Sequence, residues 1–134
     1  MKTNRAKLTK KLDELWSKKV RERDNKCVLC GKHIGDVKKL QAHHWIVTRA
    51  RSLKYRWDIR NGISLCYGCH ICQVHHNPSV ELMNRLYNLA IINKIATKEE
   101  VEEIISHSTD ITKLGIKDLE QKLEVLNEEN NLHK

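Results

Sequence analysis

The sequence contains no phenylalanine, and aromatic residues make up only 4% of it. Any core must therefore be mainly Leu, Ile and Val, with little of the large area that aromatic rings bury. A core that aliphatic gains from a metal staple, because metal binding adds its own free energy to folding. No stretch reaches the roughly 18 apolar residues of a membrane-spanning helix. The opening run Met1-Lys2-Thr3-Asn4-Arg5 leads into a charged amphipathic segment instead of an apolar signal core. These absences point to a soluble cytoplasmic protein, in a compartment where thiols stay reduced and bind metal rather than form disulfides. Internal repeats and low-complexity tracts are also missing. A chain of 134 residues suits one domain with a modest core and is too short for two independent ones.

Charge is abundant and unevenly placed. The net charge is +8, yet residues 1–78 carry 18 Lys and Arg against 6 acids, and residues 79–134 carry 7 against 11. The basic part also holds the cysteines and most of the histidines. Positive charge around a candidate metal site suits a polyanion, since phosphate neutralisation drives non-specific affinity. Nucleic acid is the expected partner.

Three regions follow from the pattern. Residues 5–23 read as a basic amphipathic helix, with Leu8, Leu12, Leu15, Trp16 and Val20 on one stripe and Lys10, Lys11, Lys18, Lys19 and Arg23 around the rest. Residues 24–78 hold the cysteine and histidine core. In that core Leu40–Val47 has strand character, Asn61-Gly62 signals a turn, Ile63–Leu65 reads as a short strand, and a helix follows from about Cys66 to before Pro78. Residues 79–134 read as a helical extension. Ser79 caps one helix, Thr97-Lys-Glu-Glu100 forms a capping box for the next, and residues 117–129 make the last through Leu119, Leu123 and Leu126. That leucine stripe can be intramolecular core or the seam of a homodimer.

Cys27-Val-Leu-Cys30 and Cys66-Tyr-Gly-Cys69 are two C-x-x-C pairs, enough to close a tetrahedral zinc site with no other ligand. The gap between them is roughly twice the ~15–20 residues usual between such pairs, which leaves room for a hairpin. The fifth thiol, Cys72, reads as a small buried hydrophobe. With zinc satisfied by sulfur, His43, His44, Asn61 and His70 are free for other work. Adjacent residues on a strand point to opposite faces, so one of His43 and His44 can ligate a metal while the other accepts a proton. Phosphodiester hydrolysis needs a hard cation at the scissile phosphate and a base for the attacking water.

The ordered set Ala42-His43-His44-Trp45, Asn61 and Cys66-x-x-Cys69-His70 resembles the HNH (ββα-metal, His-Me finger) endonuclease family, in particular its zinc-bearing treble-clef branch. The resemblance covers about residues 20–78. The string Leu53-Lys54-Tyr55-Arg56-Trp57-Asp58-Ile59-Arg60-Asn61 is also similar to the phage NinG/Rap recombination nucleases. It implies an α+β fold, a ββα-metal core with structural zinc on Cys27, Cys30, Cys66 and Cys69, and hydrolysis of DNA to 5′-phosphate and 3′-hydroxyl ends. His44 is then the general base, Asn61 orients the hairpin, and His43 and His70 ligate a catalytic Mg²⁺ or Mn²⁺, with Ni²⁺ or Zn²⁺ tolerated. A further ligand one helical turn on is common in the family, but that position here is Val74. The available residues are His75 and His76, of which His75 is taken as the ligand, although at about 100° per residue it lies off the face of His70 unless the helix has ended or unwound by then.

Arg49, Arg51, Lys54, Arg56 and Arg60 sit between the halves of the hairpin and are the expected phosphate contacts. Trp16, Trp45, Tyr55, Trp57 and Tyr67 are assigned to the core before base stacking. Two other readings remain open at this level. One is a treble-clef module that binds nucleic acid without catalysis, and the other is a recombination nuclease acting on branched DNA. The resemblance favours a phage-infected or bacterial cell as the setting.

Overall fold

The structure, a computed structural model, describes residues 4–33, 35 and 37–132, and the expectation for the Cys72 side chain lies outside that description. It is an α+β fold. Its elements are α1 (Asn4–Asp24), β1 (Gln41–His44), β2 (Gly62–Leu65), a π-helix (Gly68–His75), α2 (Val80–Ile92), α3 (Lys98–Ser106) and α4 (Ile116–Leu132). Short 3₁₀ turns occupy Val37–Lys39 and Ile59–Asn61. Among the described residues, no helix is long and apolar enough to cross a membrane.

β1 and β2 pair antiparallel, with His43 opposite Ile63 and His44 opposite Gly62. Side chains alternate across this small sheet, so its two faces do different work. Ile63 and Leu65 are buried with Cys27, Leu40 and Val74 in one core, against which α2 contributes Leu86 and Ala90. The other face meets α1. There Ser64 donates its hydroxyl to the Val20 carbonyl at 3.1 Å, and Gly62 lies under Trp16 and Val20 with no room for a side chain.

The stripe predicted on the first helix is buried through Leu12, Trp16 and Val20. α4 covers it, with Leu119 and Leu126 in the same core. The leucine stripe of α4 is therefore used within the chain. Arg23, expected among the solvated charges, instead reaches back to the sheet. It donates to the carbonyls of Ile59 at 2.6 Å and Gly62 at 2.7 Å.

The strand expected over Leu40–Val47 stops at His44. The amides of Ile46 and Val47 are captured by the Asn61 side chain at 3.0 and 2.9 Å, which turns the chain away from the ladder. The helices after Pro78 begin as their caps dictate. Ser79 accepts from the Leu82 amide, and Thr97 and Glu100 form a complete capping box.

Candidate metal centres and active site

The first knuckle closes with the Gly31 amide on the Cys27 carbonyl at 2.8 Å and the Cys27 amide on the Lys32 carbonyl at 3.0 Å. Gly31 has φ +75°, a conformation that favours glycine. A bond from the Val28 amide to the Ser64 carbonyl, 2.9 Å, moors the knuckle to β2, and Cys66 and Cys69 follow directly. The four Sγ atoms all lie within 4.8 Å of one another, and Cys30 and Cys66 are 4.0 Å apart. A tetrahedral ion with bonds of about 2.3 Å places sulfurs about 3.8 Å apart, so the cage fits zinc and is too open for a disulfide. Backbone amides of Cys30 and Cys66 point at the Cys27 sulfur. Burial and the neighbouring thiols push the Cys69 thiol far up. Cys27 and Cys69 are buried, Cys66 is partly so and Cys30 is exposed, and a zinc ion among the four sulfurs would stabilise them as thiolates.

The second group is His43, His70 and His75, whose ligand nitrogens also fall within 4.8 Å of one another. His43 comes from β1, and both others come from the π-helix. Here the helix differs from the α-helix expected after Cys66. The His76 amide bonds the Ile71 carbonyl at 3.1 Å, an i→i+5 step. That widening brings His75 onto the face of His70, with their Nε2 atoms 2.9 Å apart. The His43 ring centroid is 5.0 Å from that of His70 and 5.5 Å from that of His75. Val74, at the α-helical position, is buried in the core instead.

Gln41 fixes one ring of this group. Its side-chain oxygen lies 2.7 Å from His70 Nδ1, so Nδ1 carries the proton and Nε2 keeps its lone pair. Burial, followed by the nearby His70 and His75, lowers His43 from its ordinary 6.5 to about 3. Burial and His75 lower His70 as well. Neutral imidazoles are what a metal requires. Three nitrogen donors with open positions suit a divalent transition ion, and both groups are compatible with metal binding.

His44 projects from the opposite face of β1. Its ring stacks on Trp16, with centroids 3.9 Å apart and planes 12° from parallel. Nε2 lies 2.8 Å from the Arg56 carbonyl. A carbonyl only accepts, so Nε2 bears hydrogen and Nδ1 holds the free lone pair. Burial lowers the His44 pKa, opposed by the Arg56 carbonyl. Asn61 is 1% exposed. Besides the two amides it holds, its Nδ2 donates to the carbonyls of Val47 at 2.8 Å and Tyr55 at 3.2 Å. One side chain therefore ties both ends of the 46–55 loop.

The basic segment divides. Arg56 forms a two-point ion pair with Asp13, at 3.0 and 2.7 Å. Arg60 pairs with Asp58 at 2.6 Å and Glu100 at 3.0 Å. Lys54 lies 3.7 Å from Asp110. Arg49 and Arg51 are exposed in the connection between the two strands. Of the aromatics, Trp16, Tyr55 and Trp57 are buried, Trp45 is partly buried, and Tyr67 is 62% exposed. Sequence reasoning passed over Asp13 and Gln41. Gln41 was findable, because it lies two positions before His43 on the same strand face.

Comparison with protein-family models, with curated proteins and with solved structures found no match. Fold and site together define an α+β protein whose small sheet brings a thiol group and an imidazole group, each able to hold a metal, to the same short segment of chain.

Proposed function

We propose that the protein is a metal-dependent DNA endonuclease of the HNH type, built on a zinc-stapled treble-clef core. The observation that carries this reading is the meeting of His43, His70 and His75 beside a histidine whose tautomer is fixed. A divalent ion held by the three imidazoles would supply positive charge for the scissile phosphate and the leaving 3′ oxygen. His44 takes the proton of the attacking water on Nδ1. Its Nε2–H stays on the Arg56 carbonyl, and Trp16 holds the ring plane. Asn61 keeps the 46–55 loop, and with it the tip of the hairpin, in register. His43 and His44 leave β1 on opposite faces, so a phosphate would have to lie across the end of the strand for both to reach it. The exposed Arg49 and Arg51 and the half-exposed Lys54 supply backbone contacts outside that point. Arg56 and Arg60 act through the loop they brace.

Plasmid nicking in Mg²⁺, Mn²⁺, Ni²⁺ or Zn²⁺ tests this, comparing wild type with His44→Ala and assaying zinc in both. Cutting by wild type, lost in a variant that retains zinc and DNA affinity, is the expected result. DNA binding with no cutting in any of these ions gives the binding-module reading instead. Single nicks on linear duplex against paired cuts on a four-way junction separate a general nuclease from one acting on branched DNA.

A further inference from the structure

Residues on one face of α1 grip the chain from Arg56 to Gly62 at successive turns. Asp13 accepts from Arg56 Nε at 3.0 Å, from Arg56 Nη2 at 2.7 Å and from Trp57 Nε1 at 2.9 Å. One turn later Trp16 donates Nε1 to the Asp58 carbonyl at 2.9 Å. Asp13 and Trp16 are three positions apart and share a face. The residue that Asp13 clamps by its side chain is the one whose carbonyl receives His44 Nε2–H at 2.8 Å. The residue next along that face, Trp16, stacks on the same imidazole. α1 thus holds the His44 ring by its edge and by its plane.

We infer that Asp13 is a positioning residue for His44, acting through the Arg56 guanidinium to keep the Arg56 carbonyl on Nε2–H. This inference rests on the nuclease reading only for its catalytic consequence, because the tautomer of His44 is measurable without any substrate. The pair suits the task. An Arg–carboxylate fork fixes direction as well as distance, and the Arg56 and Asp13 side chains are 19% and 28% exposed. Trp57 Nε1 on the same carboxylate, with the Trp57 ring in the α1–α4 core, keeps the acceptor from rotating away. A carbonyl in a loop needs that support, since no ladder bond of the sheet holds it.

The test is long-range ¹H–¹⁵N correlation of the histidine rings in the full-length zinc protein, comparing wild type with Asp13→Asn. Wild type should show one His44 tautomer with hydrogen on Nε2, and the variant a mixture. Mn²⁺ affinity, read by electron paramagnetic resonance, should stay within about twofold, and the nicking rate at saturating Mn²⁺ should fall by about tenfold or more. Should Asp13→Asn not fold, Arg56→Lys serves, because it keeps the charge and the carbonyl but lacks the fork. Retention of a single Nε2–H tautomer in the folded variants overturns the inference. Tautomer mixing in a protein that cuts no DNA supports the clamp and overturns the nuclease reading alone.

Discussion

His70 and His75 stand five positions apart in the chain, yet their Nε2 atoms are 2.9 Å from each other. The π-helix between Gly68 and His75 brings them together. π geometry is uncommon and concentrates at functional sites. Two factors bear on it here: Val74 is drawn into the core, and Asn77-Pro78 prevents the helix from continuing. If this widened turn builds a ligand pair, His75→Ala should weaken Mn²⁺ or Zn²⁺ binding at the imidazole group by more than about tenfold, the scale at which even outer-shell partners act. Calorimetric titration of protein already carrying one zinc on its cysteines would show this. Unchanged affinity would remove His75 from the ligand set.

Gln41 holds His70 in the tautomer that keeps the Nε2 lone pair directed at His75 and the rest of the imidazole group. Gln41→Ala should therefore lower metal affinity at the same group by about 10–100-fold, with zinc uptake by the four cysteines unchanged. Gln41→Glu keeps an acceptor at Nδ1 and should restore most of the loss. Failure of the glutamate to restore binding would mean that the glutamine contributes only packing.

Asn61 satisfies two amides and two carbonyls of the loop from inside the core. Asn61→Ala leaves these buried groups without partners and should cost about 3 kcal/mol, read by urea unfolding. Asn61→Asp keeps the acceptor for the Ile46 and Val47 amides but brings a carboxylate against the Val47 and Tyr55 carbonyls. It should be destabilised too, and recover as acid protonates the new group. Equal stability of all three proteins at neutral pH would contradict these four hydrogen bonds.

A methyl group on Gly62 would meet the Trp16 ring 2.7 Å from Cζ2, and Val20 closer still. Gly62→Ala must therefore push α1 off the sheet, at about 1–3 kcal/mol, the usual cost of overpacking. Because Trp16 also stacks on His44, the loss should extend to the ring-current shift of the His44 protons and, on the proposed nuclease reading, to cutting. A variant with wild-type His44 shifts would show that α1 and the sheet adapt without moving Trp16.

Elements signalled by local chemistry were legible in the sequence. Ser79 and the Thr97–Glu100 box start helices where side chain and amide meet, and the two C-x-x-C pairs converge as their spacing suggests. Less legible were residues whose partners lie far along the chain. Arg23 reads as a solvated charge on a helix and Asp13 carries no signal of its own, because nothing local reveals that the 56–62 segment runs beneath them. Arg56 and Arg60 read as phosphate contacts for the same reason, and the fold supplies Asp13 to the one and Glu100, beside the local Asp58, to the other. The π-helix was the hardest to foresee. Its i→i+5 bonds have no sequence period distinct from that of a frayed α-helix, and only the awkward placement of His75 hinted at it.

His43 gives the fold a pH dependence of definite sign. In the unfolded chain it takes a proton near its ordinary 6.5, whereas burial first, with His70, His75 and His44 behind it, delays this to about 3 in the folded protein. Between those values the unfolded state binds more protons, so stability falls as pH is lowered through the window and is recovered on return to neutrality. His44 and His70 are shifted in the same direction. Asp13 and Glu100, both held below their ordinary values, add to the loss only at lower pH. Going from pH 7 to pH 5 should thus cost up to about 2 kcal/mol through His43 alone. Urea unfolding of wild type and His43→Asn at both pH values isolates this, because the cysteine site is common to the two and its own acid sensitivity cancels. The wild-type curve should drop more steeply than that of the variant. Parallel curves would mean that His43 is protonated in the folded protein as readily as in the unfolded chain, and that the imidazole group is too open to hold its nitrogens free for a metal.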